Sequence, residues 1–264
     1  MAPKIMVKRK RVLILGGTGE AAELAAQAAT ISGVEVIISL AGRTRQAAMS
    51  SPLRIGGFGG VAGLRDYLQE QEIDLLIDAT HPFAAQISCH AAQAADDCGI
   101  PRLMLLRPAW EMMRGDNWIE VESNEAAARV LPGLAQRVFL TIGRQELANY
   151  AHLKQLWFLM RMIEPPLPDT PVPPGKLLLE RGAFSLESER SLLGEYDIGA
   201  IVSKNSGGDA TYGKIIAARE LGLPVVMVQR PSMPQGETVA DVETAIFWLR
   251  NWLLTGTYGG HGVN

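Results

Sequence analysis

Arg11-Val12-Leu13-Ile14-Leu15-Gly16-Gly17-Thr18-Gly19-Glu20-Ala21-Ala22 is the stretch whose reading decides the fold. A short, unbroken apolar run stops at glycines and passes directly into an Ala-rich helical pattern. A strand buried on both faces reads this way, and the glycine turn after it sits where doubly wound α/β folds place a phosphate-binding loop. Glycines let the backbone approach a pyrophosphate, and free N–H groups at a helix N-terminus favour its negative charge. Gly16, Gly17, Thr18, Gly19 and Glu20 form a G-x-x-G-x-x-A variant of the dinucleotide fingerprint; the bland alternative is a tight strand-to-helix turn.

Outward from this unit the alternation repeats. Strands are expected at 11–16, 34–40, 53–56, 75–78 and 102–106, with helices at 20–31, 60–71 and 83–98, the last stopped by Gly99 and Pro101. A second series has strands near 138–141, 157–162, 176–179, 199–203 and 224–228. The pattern predicts two Rossmann-like lobes with mostly parallel sheets and an active-site cleft between them, divided as 1–134 and 135–264. Six prolines between Pro165 and Pro174 demand an extended loop, either a flap or a surface connection. The final helix, 241–254, carries Ile246, Phe247, Leu249 and Leu253 on a stripe expected to pack on a sheet, and its tryptophans read as core.

Composition narrows the function. The 264 residues are 47% hydrophobic, enough for buried cores without staples, and a formal charge of −3 gives no general field for nucleic acid. Cys89 and Cys98 offer neither a disulfide framework nor zinc spacing, so a reducing, cytoplasmic location is expected. The basic start, residues 1–11, reads as a solvated leader, and no apolar run approaches the roughly 20 residues that cross a bilayer. No metal-ligand cluster is expected.

The end of the second strand, Ser39-Leu40-Ala41-Gly42-Arg43-Thr44-Arg45, has no carboxylate for a ribose 2′-hydroxyl. Its arginines suit a 2′-phosphate, which points to NADPH, with Arg43 and Thr44 as the contacts. Three more segments follow strands: Gly56-Gly57-Phe58-Gly59-Gly60, Asp78-Ala79-Thr80-His81-Pro82-Phe83-Ala84 and Ser203-Lys204-Asn205-Ser206-Gly207-Gly208. Taken in order with Thr141-Ile142-Gly143-Arg144, the run 217–226 and Arg230-Pro231, these closely resemble the precorrin-6A reductases of corrin biosynthesis, over Val12 to Pro231. Gly213 departs from the Ala of that family's T-Y-A-K run.

The resemblance implies NADPH-dependent reduction of one double bond of precorrin-6A or cobalt-precorrin-6A, giving the 6B dihydro form. It implies nucleotide contacts from 16–20, Arg43, Thr44, Gly57, Asp78, Ala79 and Thr80. A macrocycle bearing acetate and propionate arms calls for dispersed cations and donors, here Arg144, Lys204, Asn205, Ser206, Gly207 and Arg230. The proton that accompanies the hydride is expected from His81, from Tyr212 or from a held water, unless His81 simply caps the turn before Pro82. Two rivals remain. A short-chain-type dehydrogenase lacks its Y-x-x-x-K pair here, and a non-catalytic tetrapyrrole carrier has no need of a hydride donor. Neither membrane nor nucleic-acid partners are expected; transient contact with neighbouring pathway enzymes stays open.

Overall fold

The computed structural model describes residues 9–41 and 52–255. Contacts divide the chain into one unit of Met1–Arg107 with Ser232–Asn264 and a second of Pro108–Pro231. The first unit comprises β1 (Lys10–Leu15), α1 (Gly19–Ala28), β2 (Val34–Leu40), β3 (Leu53–Ile55), α2 (Val61–Glu70), β4 (Leu75–Asp78), α3 (Ala85–Cys98), β5 (Arg102–Leu105), β12 (Glu237–Val239) and α7 (Val242–Thr255). Its six strands run in the order β12-β5-β4-β1-β2-β3, and every neighbouring pair is parallel. This is the doubly wound order, with its reversal between β1 and β4.

The alternation of β1 sets the two cores. Val12 and Ile14 face α1 and α7, packing with Leu24, Ala25 and Leu249, whereas Leu13 and Leu15 face α2 and α3, packing with Leu64, Leu68 and Ala91. Covered on both faces, the central strands must be apolar throughout, which is why they read as unbroken runs. α3 closes on Gly99 at φ 64, the left-handed stop its sequence anticipated.

The second unit holds β6 (Trp118–Val121), α4 (Asn124–Val130), β7 (Arg137–Thr141), β8 (Trp157–Met162), β9 (Gly175–Leu179), α5 (Leu186–Glu195), β10 (Ala200–Lys204), α6 (Gly213–Leu221) and β11 (Val225–Val228). Its sheet, β6-β11-β10-β7-β8-β9, is also wholly parallel. Its strand order reverses between β7 and β10.

Two expectations are corrected. The boundary expected at 134/135 lies at 107/108, and the chain returns to the first unit after Pro231. The reason is an exchange of edges: β6 joins the second sheet through Trp118 beside Val225, and β12 joins the first through Glu237 beside Leu103. In the last helix Ile246 and Leu249 are buried, but Phe247 is 66% exposed. Phe247 and Leu254 stand one heptad apart on the flank turned away from the sheet, while Trp248 and Trp252 pack against the core. Among the described residues no helix is long and apolar enough to cross a membrane.

Beneath α5 and α6 lies a buried charged cluster. Arg161 pairs with Glu189 at 2.6 Å, and Lys214 Nζ donates to the Thr211 carbonyl (2.7 Å) while lying 4.8 Å from the centre of the Trp110 ring. Burial pulls the Lys214 ammonium down from 10.5 to about 7. The unfolded chain keeps that proton until near 10.5, so between these values it binds more protons than the folded chain, and stability rises with pH across the window. Lys214→Met should abolish this rise. Urea midpoints of both proteins at neutral pH and near pH 9 check it; equal slopes would refute the burial argument.

Candidate active site

At the first reversal, β1 ends in a turn whose geometry needs its glycines. A Cβ on Gly16 would stand 3.3 Å from Leu40 and 3.4 Å from Ala21, so Gly16 permits the close approach of α1 to β2. Gly17 has φ 126, a backbone state that side chains disfavour. Thr18 is the N-cap of α1: its Oγ1 accepts from Ala21 N–H (3.0 Å) and its hydroxyl donates to the Ala79 carbonyl (3.0 Å). One side chain thus joins the turns after β1 and β4. Among the described residues the N–H groups of Gly17 and Gly19 have no protein acceptor, and a Cβ on either would meet nothing within 4 Å. The result is an open cradle of amides at a helix N-terminus, suited to an anion.

After β4, Asp78 is buried, and its Oδ1 accepts from the Thr80 N–H (3.1 Å) and hydroxyl (2.7 Å). Its Oδ2 is buried with no hydrogen-bond partner among the described residues. Ala79 N–H donates to Leu15 O (2.9 Å), locking the two strand ends together. His81 Nδ1 accepts from Phe83 N–H (3.2 Å), so the ring does cap its turn. With Nδ1 occupied as an acceptor, the neutral ring carries its proton on Nε2.

These turns open on a cavity of about 470 Å³, lined among others by Gly16, Gly17, Gly57, Thr80, His81 and His90. Its floor includes the 56–60 glycine loop, which is held from outside by Arg54. That guanidinium donates to the carbonyls of Gly56 and Gly57 and stacks 3.7 Å from the Phe58 ring centre. Gly63 of α2 completes the fit, since a Cβ there would overlap the Phe58 carbonyl. The sequence reading took Phe58 only as part of the glycine loop and missed Arg54, Gln86 and His90. The only signal for the last two was their i, i+4 spacing on the helix that follows the D-A-T-H-P-F-A segment. Arg43 and Thr44 lie outside the described residues.

Glu20 extends from the turn to Arg107, with Oε1 2.7 Å from NH1. Burial is the largest single influence on its carboxyl and pushes it up. Its own backbone N–H, Arg107 and His81 together outweigh burial and hold it below the usual 4.5.

The second reversal gathers the other candidates. Thr141 Oγ1 donates to Val202 O (3.0 Å), tying β7 to β10. Arg144, after β7, pairs with Glu164 (3.2 Å), and Lys204, at the end of β10, lies 3.6 Å from Glu146. Burial pulls the Lys204 ammonium below its usual range, with Glu146 offsetting part of that effect. Asn205 and Arg230 are engaged with the loop itself. The Asn205 amide accepts from Trp110 N–H (2.8 Å) and donates to Trp110 O (3.0 Å), while Arg230 donates to the carbonyls of Asn205, Ser206 and Pro108. Gly207, at φ 68, allows this closeness: a Cβ would overlap the Pro108 carbonyl. Ser206 is buried, and its N–H donates to Lys204 O. The Tyr212 hydroxyl accepts from Arg219 (2.9 Å), which also pairs with Asp116. Gly213, the departure noted above, sits where a Cβ would press to 3.0 Å on the Phe184 carbonyl.

Two doubly wound parallel sheets, the first with an open amide cradle and a cavity at its reversal point, define an α/β protein of the class that binds small ligands at that crevice. Within that class the chain belongs to the family described as precorrin-6x reductase CbiJ/CobK, whose model matches residues 11–250. It is therefore an oxidoreductase. It is 49% identical to the precorrin-6A reductase of Rhodococcus erythropolis, over 90% of this chain and 97% of that one. It is 30% identical to the cobalt-precorrin-6A reductase of Methanothermobacter thermautotrophicus, over 88% and 80%. A solved structure titled CobK precorrin-6A reductase superposes with a TM-score of 0.85 at 42% identity, covering 92% of this chain and 96% of that one.

The Glu20 environment yields a direct check. Arg107→Ala should raise the Glu20 carboxyl towards 4.5, read by carbon NMR titration. Because the folded value is depressed, the pair's contribution to stability is present above the unfolded value and fades as pH falls through the folded one. The variant should therefore lose part of the native protein's acid sensitivity. An unmoved Glu20 would show that Arg107 does not set it.

Proposed function

We propose that the protein reduces one double bond of precorrin-6A with NADPH, and that the nucleotide lies on the first unit. The observation that supports this most is the turn after β1. The amides of Gly17 and Gly19, unpartnered among the described residues, the empty space where their side chains would be, and the positive end of α1 fit a pyrophosphate, and the adjoining cavity of about 470 Å³ has room for the attached groups. Arg43 and Thr44 take the 2′-phosphate in this reading, and Asp78 to Thr80 shape the wall beside the nicotinamide. When bound, the cofactor supplies a hydride.

The chain's own residues do the rest. Thr18 holds the two turns in register, and Arg54 fixes the 56–60 loop. His81, whose Nδ1 accepts from Phe83 N–H, lines the cavity and is assigned to hold the proton-donating water there, because a neutral imidazole is too weak an acid to give up its own N–H. Tyr212, its hydroxyl engaged by Arg219, is the weaker candidate. In the second unit Arg144 and Lys204 receive carboxylate arms, while Asn205 and Arg230 position the loop around them. We assign the metal-free macrocycle as substrate. Relatives named precorrin-6A reductase are 42 to 49% identical, and those named cobalt-precorrin-6A reductase 24 to 30%.

Fluorescence titration of NADPH and NADH tests the cofactor assignment. NADPH should bind more tightly, and Arg43→Ala should weaken it by about tenfold or more without changing NADH. Equal binding of both nucleotides to the native chain would overturn the 2′-phosphate site. His81→Asn should lower kcat for NADPH-dependent turnover by about 10²-fold while nucleotide affinity stays the same. Unchanged kcat would assign that water to another residue.

A further inference from the structure

Both cations assigned above to substrate arms already hold a carboxylate of the chain, and the two pairs differ in kind. Glu146 is anchored: it shares a short 3-10 helix, Arg144–Tyr150, with Asn149, whose Nδ2 donates to its second oxygen (3.1 Å). Its contact with Lys204, at 3.6 Å, orients that ammonium. Glu164 stands just past β8, at the head of the six-proline loop. Its Oε2 meets Arg144 NH1 at 3.2 Å, and the same nitrogen donates to Pro165 O (3.1 Å). The side chains of this pair are 19% and 34% exposed, so an incoming anion can reach it.

We propose that Glu164 is an internal surrogate for a substrate carboxylate. It occupies Arg144 in the free protein and gives way when an arm of the tetrapyrrole arrives. This rests on the reading of the second unit's crevice as the substrate site. The physical consequence is selectivity. A tethered carboxylate competes at high effective concentration, so a lone small acid gains too little from Arg144 to displace it. A polycarboxylate anchored elsewhere, for example by Lys204, meets the same competition with an effective concentration of its own. The apparent affinity of any ligand that uses Arg144 is scaled by the fraction of time the pair is open, and a multivalent ligand offsets that loss through its other contacts. Glu164 acts through Arg144 and is a positioning residue.

The test uses the full chain with NADP⁺ present and uroporphyrin, a stable tetrapyrrole with acetate and propionate arms, as probe. Binding is followed by fluorescence, and thermal melting confirms that each variant folds. Glu164→Gln should tighten uroporphyrin by about threefold to tenfold and should let acetate compete where it does not compete for the native protein. Glu164→Asp, with a retracted carboxylate, should fall between the two. Arg144→Ala should weaken binding about tenfold, and in the double variant the gain from Glu164→Gln should vanish, a non-additivity that a merely structural role would not produce. If Arg144→Ala weakens binding but neither Glu164 variant tightens it, the surrogate role is wrong and the substrate crevice stands. If Arg144→Ala and Lys204→Ala both leave binding unchanged, the crevice is not the substrate site and the surrogate role falls with it.

Discussion

A parallel sheet whose strand order reverses cannot close its own edge at the point of reversal. β1 and β4 are hydrogen-bonded neighbours, yet the connections that leave them cover opposite faces, through α1 and α3, so the two turns diverge and leave backbone groups without ladder partners. Everything at the first crevice follows from that constraint. The amides of Gly17 and Gly19 find no acceptor among the described residues because no strand continues beside them. Thr18 spans the gap with one hydroxyl to Ala79, and the Asp78 carboxylate is fixed by the N–H and hydroxyl of Thr80 in the turn that follows. The second sheet meets the same constraint between β7 and β10 and answers with Thr141 reaching Val202.

Glycine-rich loops at such points carry a cost. Their carbonyls need donors, and glycine has no side chain to provide one. Each unit meets this with an arginine. Arg54 holds the carbonyls of Gly56 and Gly57 in the first, and Arg230 holds those of Asn205, Ser206 and Pro108 in the second. A planar guanidinium with five donors serves several carbonyls at once, which a lysine ammonium matches less well. An arginine after a strand therefore has two uses that sequence alone does not separate. Arg230 read as a ligand contact and is engaged with its own loop, and Arg54 did not read as anything.

What was legible in the sequence follows the same physics. The central strands of both sheets stood out because burial on two faces leaves nothing but apolar residues, and β1 and β4 are read to within a residue. The edges were illegible. β6 is a four-residue strand containing Glu120, and β12 is the three-residue Glu237–Val239 with little of its surface buried, so neither shows periodicity. Missing them misplaced the unit boundary, because these two strands are the ones that exchange sheets. Phe247 was misread for a geometric reason: hydrophobicity marks a stripe, but which flank of it meets the sheet depends on how α7 lies against α1. The glycine turns and the D-A-T-H-P-F-A segment were legible as sites because they interrupt apolar runs, whereas His90 and Gln86 lie inside an ordinary amphipathic helix.

On the proposed assignment of the second crevice to the substrate, the charge pattern explains how a protein with a net charge of −3 receives a polyanion. A general positive field would raise the capture rate for every anion in solution, including nucleic acid. Here the crevice cations are local, part-buried and internally paired: Arg107 with Glu20 at the first crevice, Arg144 with Glu164 and Lys204 with Glu146 at the second. Pairing keeps each cation oriented and spares it the cost of standing desolvated and alone. It also means that no single anionic group binds strongly, since each must first break an ion pair that already exists. On the proposed assignment of this crevice to the substrate, affinity grows with the number of arms engaged at once, so the geometry of the carboxylates counts for more than their charge.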